Sequence, residues 1–320
     1  METRRQTAGE SFDLRCEIAS LDPLLEECTI AAAGELPSMS IEIQAERTPF
    51  DTAGWDVLTP AARYRGDAVV LRDVCTAGFD LQVRIGGSRP SFVLRRHPSA
   101  KSRLGKLAPA RARLLLRAAL LQFPAMWNAG VHGRAPLHAS VVSAGDETIL
   151  LVGASGVGKS TLVDLELAAG GRATSDNLVV SDGVTAWGVV EPSRVEAGSG
   201  RRATRGRRER AMTDRVSALV ADRVVVLRRG RSAVPEVRSC DPAHAARQLV
   251  TATYMAGELR RFWPFAATLA AATGCGPAHP RVEDVAETFT SRLPCTELLL
   301  PHARGTSLRD VMAAETDAST

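Results

Sequence analysis

Lysine is nearly missing from this chain of 320 residues: of its 40 basic side chains only Lys101, Lys106 and Lys159 are lysines, and the other 37 are arginines. Aromatic residues are scarce too, at 4%. With so much Ala and Gly alongside, the arginine excess reads as a GC-rich coding bias, and a net charge of +4 gives little ground for a polyanionic partner. A groove for single-stranded nucleic acid needs aromatic faces between its cations, and the arginine-rich stretch has none. Cysteine is sparse and scattered. The six at positions 16, 28, 75, 240, 275 and 295 include no pair at two-residue spacing, which excludes a zinc knuckle or a thioredoxin-type redox pair. Such cysteines fit a reducing compartment, where they act as small apolar residues. No apolar core follows the basic residues of Met1–Gln6, so no secretory signal is expected. The one long uncharged stretch, Phe262–Pro280, is broken by Pro264, Gly274, Gly276 and Pro277, and too rich in Ala and Thr to span a bilayer. A soluble, cytoplasmic protein is expected, with no membrane partner. At 45% hydrophobic and 24% charged residues, the whole chain is neither disordered nor collagen-like nor a coiled coil.

What is present suggests two domains. Residues 1–106 read as β-rich. Ser40–Gln44, Asp67–Arg72 and Phe79–Ile85 alternate with period two, and Gly34, Gly66 and Gly86-Gly87 punctuate them. Residues 107–320 read as α/β with a helical C-terminal part. Arg111–Met126 is apolar nearly all round, as a buried helix is. Thr148–Val152 has the continuous apolar run of a strand covered on both faces. Leu178–Val180, Val184–Val190, Ala218–Leu227 and Thr296–Leu300 are further strand candidates. Asp241-Pro242 caps a helix expected to reach about Arg260, Val282–Leu293 is another, and Ser307–Asp310 resembles a capping box.

One segment carries chemistry. Gly153-Ala154-Ser155-Gly156-Val157-Gly158-Lys159-Ser160-Thr161 matches the phosphate-binding pattern GxxxxGK[ST] between a strand and a helix. Glycines let the backbone wrap a phosphate, and successive N–H groups at a helix start form an anion nest. Lys159 is placed to bridge the outer phosphates and the Ser160 hydroxyl to ligate magnesium. Asp51-Thr-Ala-Gly54 spells a GTPase switch motif, but it precedes the loop by about a hundred residues and no Asn-Lys-x-Asp guanine motif exists; it reads as a surface turn. Val224–Leu227 lacks the terminal acids of a typical ATPase strand and reads as core.

The surroundings of the loop narrow the class. Leu137-His138-Ala139-Ser140 lies upstream, and Gly170-Gly-Arg-Ala-Thr-Ser-Asp176-Asn177 downstream. Over roughly residues 130–200 this resembles the catalytic domain of the HPr kinase/phosphorylase family, and most of all the shorter HPr-kinase-related proteins found with ribosomally made peptide natural products. The resemblance implies a P-loop kinase domain of HPr-kinase type and a catalytic acid/base at Asp176, with His138 beside it. A carboxylate near the outer phosphate suits that role, since it can accept the proton of an attacking hydroxyl. Asn177 departs from the family's second aspartate. Its amide oxygen can still ligate the metal, though more weakly without a charge. Arg194–Arg210 holds seven arginines, at 194, 201, 202, 205, 207, 208 and 210, among glycines and only two acids. It reads either as a solvated loop or as a flap capturing an acidic substrate, with Arg194, Arg201 and Arg202 as substrate contacts. The expected function is an ATP- and Mg2+-dependent kinase acting on a Ser or Thr hydroxyl of a peptide or small protein. A small-molecule kinase and a non-catalytic nucleotide sensor or scaffold are the alternatives. Nucleic acid is not the expected partner, and homo-oligomerisation is left open.

Overall fold

The computed structural model describes residues 2–32, 34, 36–100, 102, 107–195, 200–203, 206–301 and 307–312. The chain is a mixed α/β protein that divides into two compact units. One comprises Met1–Gly133, Arg201–Arg208 and Arg261–Pro280; the other comprises Arg134–Gly200, Glu209–Arg260 and Arg281–Thr320.

The first unit is built on nine strands: β1 (Glu2–Thr7), β2 (Glu10–Cys16), β3 (Ile30–Ala31), β4 (Met39–Gln44), β5 (Asp56–Thr59), β6 (Ala62–Arg65), β7 (Ala68–Leu71), β8 (Phe79–Arg84) and β9 (Ser91–Arg96). They form one sheet in the order β3-β1-β2-β4-β9-β8-β7-β6-β5. The period-two alternation buries Phe12, Leu14, Ile41, Ile43, Leu81, Val83, Phe92 and Leu94 on one face. The helix expected at Arg111–Met126 is in three pieces: α-helix Pro109–Arg117, a π-turn Ala118–Gln122, and α-helix Phe123–Val131. Pro124 is the physical reason for the break. It has no N–H to donate back and its ring crowds the preceding turn, so the helix widens just before it. The all-round apolar pattern does produce burial: Leu120, Leu121, Phe123 and Trp127 are all covered, and Trp127 meets Phe92 edge-on at 5.8 Å. The uncharged stretch supplies helix Phe262–Thr273, whose Phe262 packs on Phe123 at 5.5 Å. Among the described residues no helix is long and apolar enough to cross a membrane. Asp51–Gly54 is an exposed turn closed locally, with the Ala53 N–H donating to Asp51 Oδ1 at 3.0 Å.

The second unit holds β10 (Ala135–Leu137), β11 (Ala139–Ala144), β12 (Glu147–Val152), β13 (Ala173–Ser175), β14 (Val179–Ser181), β15 (Thr185–Gly188), β16 (Ala218–Val220), β17 (Arg223–Arg229), β18 (Glu236–Ser239) and β19 (Cys295–Leu300). Six of them form a sheet in the order β13-β11-β12-β17-β19-β18, and β10-β14-β15-β16 form a smaller one. The expected strand Ala218–Leu227 is thus two strands in two sheets. Asp222 marks the break: its N–H donates to the Thr148 carbonyl and its carboxylate accepts the Thr148 N–H, each at 2.8 Å. The apolar run of β12 is covered on both faces, as a central strand in parallel pairing with β17 requires. Ile149, Leu151, Val225, Leu227 and Leu298 pack with Leu162 and Val163 of helix Lys159–Ala168. Asp241 caps helix Pro242–Met255 by accepting the His244 N–H at 2.8 Å. That helix stops short of Arg260 because Ala256 turns to an extended conformation just before Gly257. Ser307 accepts the Asp310 N–H at 3.1 Å, as a cap does.

One backbone contact fixes how the two sheets of this unit approach. A Cβ on Gly188 would lie 2.1 Å from the Thr174 carbonyl oxygen, so only glycine fits. Gly188→Ala is expected to lower stability by about 2 kcal/mol or more, as overpacking against rigid backbone does. Urea unfolding would measure it, and an unchanged midpoint would show that the sheets part freely there.

Candidate functional site

The site grows from the end of β12. Its residues Ile149–Val152 are fully buried, so the strand holds the following loop rigidly. Gly156 and Gly158 adopt φ of +86° and +125°, conformations that residues with a side chain rarely take. The Val157 N–H closes a turn on the Ala154 carbonyl at 3.2 Å. Helix Lys159–Ala168 then starts at Gly158, and its first-turn N–H groups have no acceptor within the helix. A strand, a glycine loop and a helix N-terminus therefore stand in the order that binds anions. Lys159 is buried, and its Nζ donates to the Gly153 carbonyl at 2.6 Å and the Ala154 carbonyl at 3.4 Å.

The chain segment after β13 brings Asp176 to this helix start. The Ser160 hydroxyl lies 3.5 Å from the Asp176 carbonyl oxygen. Asp176 is buried; its Oδ2 accepts the Arg194 N–H at 3.3 Å, and its Oδ1 has no hydrogen-bond partner among the described residues. Burial first, and the nearby Glu191 carboxylate second, push the Asp176 carboxyl up to about 6, against the pull of Arg194. Asn177 sits between two partners. Its Nδ2 donates to Glu191 Oε1 at 3.0 Å, and its Oδ1 faces His138 Nε2 at 3.2 Å. A carboxylate only accepts, so the Asn177 amide nitrogen must point at Glu191 and its oxygen at His138. His138 therefore carries its proton on Nε2, leaving Nδ1 as a buried lone pair with no hydrogen-bond partner among the described residues. Burial, reinforced by the Lys159 charge, lowers His138 to about 4, so the ring is neutral near pH 7. Ser140 lies two residues on, in β11, and its buried hydroxyl also has no partner among the described residues.

Arg194 holds the acidic side together. Its guanidinium donates to Glu191 Oε2 at 3.2 Å and to Glu258 Oε1 at 2.5 Å. Burial alone would lower Arg194, but the two carboxylates outweigh it and hold it above the usual arginine range. Burial likewise raises Glu258, and Arg194 outweighs that and holds it below the usual range.

The structure thus brings Gly153, Gly158, Lys159, Ser160, His138, Asp176, Asn177 and Arg194 into one unit. Arg201 and Arg202 group with the other unit, where Arg201 pairs with Glu27 at 2.5 Å and the Arg202 carbonyl accepts from Arg113 at 2.8 Å. Arg201–Arg202 and Arg208–Arg210 are short strands; Arg205 lies outside the described residues. Glu191 and Glu258 are the residues that sequence reasoning missed. Glu191 left one trace, a charge at the end of the apolar run Val189-Val190, where an acid is buried only if paired. Glu258 sits in a polar turn that carries no such signal. No protein-family model matches the chain, and no curated protein matches it.

Proposed function

We propose that the second unit is an ATP- and Mg2+-dependent kinase that phosphorylates a hydroxyl, Ser or Thr, of a peptide or small protein. The observation that carries this reading is the buried Asp176, whose backbone carbonyl lies 3.5 Å from the Ser160 hydroxyl in the first turn of the phosphate-loop helix and whose carboxyl Oδ1 has no hydrogen-bond partner among the described residues. A carboxyl held near 6 is ionised at pH 7 yet basic enough to take a proton. In the reaction proposed, the acceptor hydroxyl gives its proton to Asp176 as its oxygen forms a bond to phosphorus. Loop N–H groups and Lys159 stabilise the charge that develops on the phosphoryl oxygens. His138 and Asn177 act through others: the amide, locked between His138 and Glu191, fixes the backbone beside Asp176.

Magnesium fits a hard oxygen donor such as the Ser160 hydroxyl, which stands at the start of the phosphate-loop helix, leaving the Asp176 carboxylate to act as the base. Among the described residues no cluster of three or more His, Cys, Asp or Glu forms a cage. When bound, the ion would neutralise charge on the polyphosphate. Asn177, with both ends of its amide engaged, is better suited to positioning than to ligation. Incubation with labelled ATP, magnesium and either Ser/Thr peptides or small alcohols tests the reading. Label on neither class of acceptor would leave the nucleotide-sensing alternative standing. Glu191→Gln is expected to lower the rate by about 10-fold or more, because it removes the charge that raises Asp176 and loosens Arg194. A wild-type pH profile in that variant would separate Glu191 from the reaction.

A further inference from the structure

β12 and β17 are parallel neighbours, paired from Ile149 with Arg223 to Val152 with Val226. Their carboxyl ends therefore open on the same edge of the sheet, the edge at which open α/β sheets receive ligands. β12 continues into the glycine loop. β17 continues as Leu227-Arg228-Arg229, and its end presses on that loop: a Cβ on Gly153 would lie 3.0 Å from the Leu227 carbonyl oxygen. A Cβ on Gly158 would lie 3.6 Å from Nη2 of Arg229. The guanidinium thus stands beside the residue that begins the helix and precedes Lys159. Its other nitrogen, Nη1, donates to the Pro301 carbonyl at 2.8 Å, which tethers the group in place. Among the described residues no carboxylate pairs with Arg229, whereas its neighbour Arg228 is neutralised by Glu297 at 3.1 Å.

A guanidinium offers five N–H donors, and the tether uses one. Arg229 is exposed and held by that one bond, and a cation beside a helix N-terminus with donors to spare is suited to an anion, phosphate oxygens above all. The sign of the charge matters here. This strand end is where a typical P-loop ATPase carries acids, and an arginine there cannot serve a metal or a water. We propose that Arg229 is a second phosphate-contacting cation, donating to a non-bridging oxygen of the nucleotide's polyphosphate alongside Lys159. The proposal rests on the phosphate-loop reading of Gly153–Ser160.

Calorimetric titration of the full chain with MgATP and with AMP tests it, using wild type, Arg229→Gln, Arg229→Lys and Arg228→Gln. Glutamine removes the charge and, being two atoms shorter, the bond to Pro301; because Arg229 is exposed, the chain is expected to stay folded. Arg229→Gln is expected to weaken MgATP by about 10- to 100-fold and AMP much less. Lysine should recover part of the loss, since it restores charge without the fork, and Arg228→Gln should match wild type. Equal MgATP affinity in Arg229→Gln and wild type would overturn the proposal. So would an equal loss for MgATP and AMP with a lowered melting temperature, which would mark Arg229 as structural. A wild-type chain that binds neither nucleotide would overturn the phosphate-loop reading itself, a result distinct from both.

Discussion

Lys159→Met is expected to reduce phosphotransfer by ~10²–10³-fold or more while leaving the chain folded. Lys159 follows Gly158 directly, and its buried ammonium already bonds the carbonyls of Gly153 and Ala154, so it is held within the loop that would wrap the phosphates. A positive charge fixed there meets the negative charge that grows on the phosphoryl oxygens in a region partly shielded from water, where it acts most strongly. Methionine keeps an unbranched apolar stem of similar length and removes only the charge and the donors. Two loop carbonyls lose a partner, so a stability loss of about 1–2 kcal/mol is expected, well short of unfolding a chain of this size. Steady-state turnover and a thermal melt on the same preparation check both halves. An unchanged turnover would sink the kinase reading, and a collapsed melt would make Lys159 a structural pin of the loop.

How far the sequence reached depended on whether a feature is local. The phosphate loop was legible because everything it needs is contiguous: the apolar run of β12, three glycines and the helix that follows. Period-two runs located β4 and β8 to within a residue or two, since alternation is a property of each strand alone; β7 lies where it was expected, but all four of its residues are buried. Where a neighbouring element decides, legibility failed. Ala218–Leu227 looks like one apolar run, but Asp222 pairs with Thr148 of another strand and splits it between two sheets. Pro124 broke a helix that all-round hydrophobicity had suggested was continuous.

The same division runs through the site. Asp176 and His138 were found on the residues around them, but their chemistry is set by groups far along the chain. Glu191 raises Asp176, and Lys159 lowers His138. Glu258 reaches Arg194 across 64 residues of sequence, and Arg229 reaches Gly158 only because two strands run parallel. No spacing rule anticipates such contacts, because they are set by the sheet order.

Asp176→Asn should give the second large effect, a fall in phosphotransfer of ~10²-fold or more joined to an unusual gain in stability. Asparagine keeps an oxygen to accept the Arg194 N–H, so the local backbone contact survives. The gain follows from the direction of the Asp176 shift. Burial and Glu191 raise the carboxyl from 3.8 in the unfolded chain to about 6 in the folded one. A group raised on folding contributes stability that is fully present below its unfolded value and is lost as pH rises through its folded value. At pH 8 the ionised Asp176 therefore costs the wild-type fold about 2–3 kcal/mol, and asparagine does not incur that cost. In protein without nucleotide or magnesium, the variant is expected to melt above wild type at pH 8, and the two curves to converge towards pH 4. Wild-type turnover should climb with pH through about 6 as the base ionises, and that limb should vanish from what activity the variant retains. Wild-type turnover in the variant would pass the base role to His138, the next titratable group in the site. Identical melting at both pH values would mean that the carboxylate is ionised at no cost, and would remove the reason for its basicity.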